Sequence, residues 1–128
     1  MRVTTVNVNG IRAAVKKGMT EWVTENNPDI LLLQEVRAPE ELVEGLLPGE
    51  WKVVQQASRA KGRSGVAIAV RPSLEVTGAR VGLEGDNDVD SGRWVEADVT
   101  VGSTTVTFIS VHGQLILIRE LIHTEDGD

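Results

Sequence analysis

The sequence predicts one α/β domain in which helices lie on one side of a largely antiparallel sheet. Two amphipathic segments lie near the start of the chain, and about six segments, mostly consecutive, have the composition of strands. The chain has 128 residues, of which 41% are hydrophobic, and this is enough for one compact core. No linker and no internal repeat divides it.

The first strand is predicted over residues 2–9, RVTTVNVN, which are rich in Val and Thr and are ended by Gly10. One helix is predicted over residues 11–26, because its apolar residues recur at helical spacing. They are Ile11, Val15, Met19, Trp22 and Val23. The helix is expected to stop before Pro28.

A strand covered on both faces is predicted over residues 29–35, DILLLQE, because its apolar run is continuous. Residues 39–47 favour a short helix with acidic residues in its first turn, where the helix dipole stabilises them. Residues 51–56 and 65–70 are typical of two further strands. The polar segment between them, residues 57–64, is expected to be a basic loop.

Residues 72–92 are predicted to be rich in loops, since they contain Pro72, four glycines and an acidic cluster. Residues 93–111 favour a β-hairpin, in which apolar and polar residues alternate before a turn at Gly102 and Ser103. The last segment, residues 114–128, is expected to form one short helix with a frayed acidic end.

Charge and cysteine content narrow the classes of function. The net charge is −6, but residues 1–71 hold ten Lys/Arg against eight Asp/Glu, whereas residues 72–128 hold three against eleven. Only the first part is therefore expected to offer a basic surface. With no cysteine there is neither a disulfide framework nor a thiolate metal site, so we expect a cytoplasmic protein. No signal segment or membrane span is expected, and hence no membrane partner.

A carboxylate, Glu35, follows the predicted buried strand, where an unpaired charge would be costly. If the first strand pairs beside this one, Asn7 and Glu35 meet at the same sheet edge. One amide oxygen and one carboxylate suit Mg²⁺, which keeps several waters and binds substrate phosphate alongside few protein ligands. Alternatively, Glu35 faces solvent or pairs with Arg37, and Asn9 with Gly10 forms only a turn.

Four segments in order resemble one known family. They are VNVNGIRAA, PDILLLQEVR, KGRSGVAIAV and SGRWVEADV. Together they are similar to the N-terminal half of the exonuclease III type of apurinic/apyrimidinic endonuclease, within the endonuclease/exonuclease/phosphatase superfamily. The resemblance covers residues 1–111, which we take as the N-terminal part of such a domain, followed by a divergent tail, residues 112–128.

The resemblance implies a four-layered α/β sandwich and Mg²⁺-dependent hydrolysis of DNA phosphodiester bonds, with Mn²⁺ as an alternative ion. The substrates implied are double-stranded DNA with abasic sites or 3′ ends, as in base-excision repair. By the resemblance, Asn7 and Glu35 are the catalytic and metal-binding residues, and Lys61, Arg63 and Arg93 bind DNA. Without it, Lys61 and Arg63 fit an ordinary solvated loop, and Arg93 could pair with an acid such as Asp90.

The chain also departs from the family pattern. The family's later G-D-x-N and S-D-H motifs are not in their places, and GDND at residues 85–88 is only superficially similar. His112 stands where the family usually has a tyrosine, and we expect both it and His123 to be solvent-exposed. We therefore expect a truncated chain that is inactive alone and self-associates through the bare inner face of its sheet.

Two alternatives to the nuclease function remain. The chain could be a non-catalytic remnant or a half-domain that binds DNA or a partner weakly. The acidic segment at residues 86–98 could bind Ca²⁺ as an EF-hand loop does, although Ser91 and Ala97 replace the glycine and the bidentate glutamate of that motif.

Overall fold

A computed structural model of the chain describes residues 1–60, 62–82 and 91–112. Its elements in chain order are β1 Val3–Asn7, α1 Ile11–Lys16, α2 Met19–Asn26, β2 Ile30–Gln34, α3 Glu40–Leu46, β3 Lys52–Gln56, β4 Val66–Val70, β5 Glu75–Val81, β6 Trp94–Val101 and β7 Thr104–Val111. Within these ranges no helix is long and apolar enough to span a bilayer. Several predicted features lie outside the described residues, namely Lys61, the GDND segment, the short helix over 114–128 and His123.

Two sheets pack face to face. The first has the strand order β1-β2-β4-β3, in which β1 and β2 are parallel and the other pairs are antiparallel. The second is antiparallel, with the order β5-β6-β7. With the helices, the described residues form three layers of an α/β sandwich, which confirms the predicted fold class.

The continuous apolar run of β2 is explained by burial on both faces of the first sheet. Leu31 and Leu33 pack with side chains of all three helices in one core cluster. Ile30 points the other way and packs in a second cluster with Val95 and Val99 of the second sheet. The expectation of a strand covered on both sides is thereby confirmed.

The single helix expected over residues 11–26 is wrong, because the chain breaks between α1 and α2. Gly18 has φ +109°, a conformation that glycine adopts readily and that ends a regular helix. Ile11, Met19 and Val23 are still buried, but Trp22 is 42% exposed and does not belong to the buried face. The apolar spacing therefore identified helical segments but not the break between them.

Residues 72–92, predicted to be rich in loops, contain the seven-residue strand β5, which was not predicted from the sequence. The sequence conceals this strand because most of its side chains are exposed and its pairing with β6 is interrupted by a bulge between Val76 and Gly78. An edge strand of this kind is held by its partner strand rather than by an apolar face.

The inner face of the first sheet is not bare, and the expected route to self-association through it is wrong. The second sheet, supplied by the same chain, covers that face with Val95, Ala97 and Val99, all of which are fully buried. The outer face of the second sheet is polar and carries Arg80, Glu96 and Asp98 in one ion-paired group.

Candidate metal and phosphate site

The ends of β1 and β2 bring Asn7 and Glu35 into contact. The parallel register places Asn7 opposite Gln34, so the residue after Gln34 lies beside the end of β1. Nδ2 of Asn7 donates a hydrogen bond to Oε2 of Glu35. The amide oxygen of Asn7 accepts a bond of 3.0 Å from the backbone N–H of Asn9, which fixes the orientation of the amide.

Glu35 also forms an ion pair with Arg37, which was one of the two alternatives to metal binding in the sequence analysis. Nη2 of Arg37 lies 2.8 Å from Oε1, and the carboxylate side chain is 20% exposed. The hydrogen bond from Asn7 lowers the pKa of Glu35, the partial burial of the carboxyl opposes this, and the charge of Arg37 lowers the pKa further. Glu35 is therefore ionised at neutral pH, with Arg37 as its cationic partner in this structure.

His112 faces this carboxylate, so the expectation of a solvent-exposed histidine is wrong. Its Nε2 lies 3.8 Å from Oε2 of Glu35, and the imidazole is 28% exposed. Contacts between the sheets explain the placement, because the hydroxyl of Ser110 donates to the carbonyl of Leu33 at 2.8 Å and accepts from Gln34 at 3.0 Å. These bonds align the end of β7 with the end of β2.

The backbone around Glu35 is strained. Four of the five described non-glycine residues with positive φ lie in the segments that meet here: Asn9, Glu35, Arg37 and Ser64. Hydrogen bonds between the segments hold them, including the bond of 2.8 Å from the N–H of Arg37 to the carbonyl of Ser64. Such strain persists where the surrounding structure over-determines it, and it is concentrated at functional sites.

A cavity of about 360 Å³ is lined by three arginines, one of which is the ion-pair partner of Glu35. They are Arg12, Arg37 and Arg63. Arg12 donates to the carbonyl of Arg37 at 3.2 Å, which ties α1 to the segment after β2. The resemblance had implied a DNA-binding role for Arg63, whereas no such role was predicted for Arg12 or Arg37. The charge of Arg37 is balanced by Glu35, so Arg12 and Arg63 are the lining residues suited to an anion such as phosphate.

Arg93 approaches the same region from the start of β6. Its carbonyl accepts a bond of 2.9 Å from the N–H of His112. Its Nε is buried and has no hydrogen-bond partner among the described residues, as is also the case for Nδ1 of His112. Gly92, just before it, joins the basic loop, since its carbonyl accepts from the N–H of Gly65 at 2.9 Å.

The donor set fits a hydrated magnesium ion but not a closed protein cage. No group of three or more His, Cys, Asp or Glu side chains suited to a metal occurs in the described part of the chain. Mg²⁺ needs only one or two carboxylates when waters and substrate phosphate complete its shell, and Glu35 supplies one. The sequence predicted that the amide oxygen of Asn7 faces the same ion as Glu35. In the structure the amide nitrogen points to Glu35 and the oxygen accepts from Asn9, so Asn7 orients the carboxylate.

Comparison with known proteins agrees with this architecture. A model of the Endonuclease/Exonuclease/phosphatase family matches residues 4–124. The chain is 33% identical over 103 residues to the DNA repair nuclease APEX1 of Danio rerio, an alignment that covers 77% of this chain and 32% of that protein. The chain thus spans about a third of the length of this curated relative.

Solved structures show the same likeness. An AP endonuclease from Archaeoglobus fulgidus aligns with a TM-score of 0.57 and 28% identity, over 84% of this chain and 39% of that one. A 3′-5′ exonuclease from Neisseria meningitidis aligns with a TM-score of 0.65 and 26% identity, over 88% of this chain and 41% of that one.

Fold and site together define an α/β-sandwich protein of the AP endonuclease-like class, in which one carboxylate is ion-paired with an arginine that lines a cavity. The chain belongs to the endonuclease/exonuclease/phosphatase family.

Proposed function

We propose that this chain is the N-terminal part of a Mg²⁺-dependent hydrolase of DNA phosphodiester bonds that acts in base-excision repair. Abasic sites and 3′ ends of double-stranded DNA are the proposed substrates, and Mn²⁺ is the proposed alternative ion. The observation that carries the proposal is the contact between Asn7 and Glu35 at the ends of two parallel strands, in a member of this family.

The ionised carboxylate of Glu35 would hold the ion, and Asn7 and Arg37 would fix the direction of that carboxylate. A bound divalent ion supplies Lewis acidity at the phosphoryl oxygens. The guanidinium groups of Arg12 and Arg63 would neutralise neighbouring phosphates, and we assign the same role to Lys61 and Arg93. Contacts of this kind give affinity without reading base sequence, as recognition of damage in any sequence requires.

A second candidate is a half-domain that binds DNA or a protein partner without catalysis. The observation that favours it is the donor set, since Glu35 is the only carboxylate we can assign to the site within the described ranges. In the family such a site needs further acidic groups to activate water. We therefore propose that hydrolysis, where it occurs, requires additional protein supplied with this chain.

The two candidates are separated by a nicking assay on an abasic-site duplex with Mg²⁺, run on the chain and on Glu35→Gln, each alone and with the C-terminal part of a family enzyme added. The matched control is Glu44→Gln, an exposed glutamate of α3. Nicking that is lost in Glu35→Gln and on chelation, but kept in Glu44→Gln, supports the hydrolase. Binding to the duplex with no Glu35-dependent nicking supports the half-domain, and neither binding nor nicking contradicts both.

A further inference from the structure

His112 is placed to reach the same ion as Glu35. Nε2 of His112 and Oε2 of Glu35 are 3.8 Å apart, beyond hydrogen-bonding distance. Two atoms bound to one ion at about 2.1 Å each lie between about 3.0 and 4.2 Å apart, depending on the angle at the ion. The observed separation falls inside that interval.

Hydrogen bonds place the backbone of His112 beside the strand end that carries Glu35. The N–H of His112 bonds to the carbonyl of Arg93 at 2.9 Å, and Ser110, two residues earlier, bonds to the strand that ends beside Glu35. Hydrogen bonds from Asn7 and Arg37 hold the carboxylate. The backbone of both residues and the carboxylate of Glu35 are thus fixed before an ion binds, so the imidazole is the main group that must still be ordered.

We propose that His112 is a nitrogen ligand of the divalent ion held by Glu35, and that the site therefore binds Mn²⁺, Co²⁺ and Zn²⁺ more tightly than Mg²⁺. The inference rests on the proposed function, in that Glu35 holds an ion. Imidazole suits first-row transition ions, whereas Mg²⁺ prefers oxygen ligands. Mg²⁺ still binds at this site, through the carboxylate and water.

The first test measures the affinity of the purified chain for each of the four ions by calorimetry, in wild type and in His112→Gln. Glutamine offers an oxygen in place of the ring nitrogen, so the Mg²⁺ affinity should stay within about twofold. The loss should grow from Mn²⁺ to Co²⁺ to Zn²⁺, following the order of their affinity for nitrogen ligands. For Zn²⁺ the affinity should fall at least about tenfold, since even the loss of a residue that only hydrogen-bonds to a metal ligand lowers metal affinity by that much.

The matched control is His123→Gln, which removes the other of the two histidines. Pulsed electron paramagnetic resonance of bound Mn²⁺ provides a second readout. We expect coupling to a directly bound ¹⁴N nucleus in wild type and in His123→Gln but not in His112→Gln. The wild-type spectrum keeps the test decisive even if His112→Gln does not fold.

The outcomes separate this inference from the proposed function. If Glu35→Gln abolishes Mn²⁺ binding and the wild-type spectrum shows no ¹⁴N coupling, the role of His112 is wrong while the metal role of Glu35 stands. If Glu35→Gln leaves Mn²⁺ binding unchanged, both are wrong. If His112→Gln weakens binding of the abasic duplex but alters no ion affinity, the imidazole faces the substrate and the inference is overturned.

Discussion

Asn7 and Glu35 are 28 residues apart in sequence, yet Nδ2 of Asn7 donates a hydrogen bond to Oε2 of Glu35. The parallel pairing of β1 and β2 produces this contact, because it places the carboxyl ends of both strands at the same edge of the sheet. The bond stabilises the ionised form of Glu35, and its removal should be measurable as a change in the pKa of that carboxyl group.

Replacing Asn7 with Ala should raise the pKa of Glu35, since the bond from Asn7 is the largest cause of its lowering. A carboxyl whose pKa is lower in the folded protein stabilises the fold above its unfolded pKa. That stabilisation is lost as pH falls through the folded pKa. Below pH 4.5, the ordinary pKa of a glutamate, the free energy of unfolding of Asn7→Ala should therefore change less with pH than that of wild type. Carboxyl NMR titration checks this, and an unchanged Glu35 titration would contradict it.

Asp98 should titrate abnormally because of Arg80. The guanidinium of Arg80, followed by the hydroxyl of Thr107, lowers the pKa of Asp98 from 3.8 to about 2. Its stabilising contribution is thus present above pH 3.8 and is lost as pH falls toward 2. In Arg80→Met the pKa of Asp98 should rise toward 3.8 but stay below it, since Thr107 still donates at 2.7 Å. Glu35 serves as the internal control, and its titration should not move.

The packing between the sheets can be tested with two valines on neighbouring strands. Val95 and Val81 are paired across β6 and β5, but Val95 is fully buried whereas Val81 is 54% exposed. Val95→Ala should lower the free energy of unfolding by about 1.5–3 kcal/mol, because it opens a cavity between the sheets. Val81→Ala should change it by less than about 0.5 kcal/mol. Denaturant unfolding measures both, and equal effects would mean that the second sheet does not cover the first.

Gly92 makes a close approach that no other residue type permits. A Cβ built there would lie 2.7 Å from the backbone nitrogen of Ser58, and φ is +76°. Gly102 also has a positive φ, +63°, but a Cβ there would meet nothing within 4 Å. Gly102→Ala should cost about 1–2 kcal/mol in unfolding free energy from backbone strain alone. Gly92→Ala should cost at least about 1 kcal/mol more. Equal thermal shifts for the two variants would show that the loop does not pack on Gly92.

Arg63 should contribute one phosphate contact if the arginine-lined cavity binds DNA. Replacing it with Gln should weaken binding to any duplex sequence and reduce the slope of log affinity against log salt by about 1. The control is Arg2→Gln, since Arg2 precedes β1 at the end opposite Asn7 and bonds to the carbonyl of Asn26. Fluorescence anisotropy at several salt concentrations measures the slopes. The same slope for both variants would remove Arg63 from the interface.

Several elements follow from local pattern. The apolar run of residues 30–34 predicted a strand buried on both faces, and the structure places helices on one side and the second sheet on the other. The alternation before Gly102 and Ser103 predicted a hairpin over residues 93–111, which the structure shows as β6 and β7. In each case the pattern is imposed by burial, so it can be read without knowledge of the partner.

Other elements lack such a pattern. β5 is an exposed edge strand that depends on pairing with β6, and the break at Gly18 depends on how two short helices fit one sheet. In the sequence, Arg12 lies in a predicted helix and Arg37 in a connecting segment, and neither segment has a pattern that indicates a cavity. Only the folded chain brings them together with Arg63 in the lining of one cavity.

The amino-acid sequence by itself determined the identity of the main strands, the position of Glu35 just after a buried one and, through its motifs, the family. The tertiary structure decided that one sheet covers the other and that His112 points at Glu35. The physical reason is the separation in sequence over which each signal acts. Hydrophobic periodicity reports only the burial of side chains within one segment. The direction of a side chain beyond a strand end depends on hydrogen bonds between segments, such as the one from Ser110 to Leu33, which are 77 residues apart.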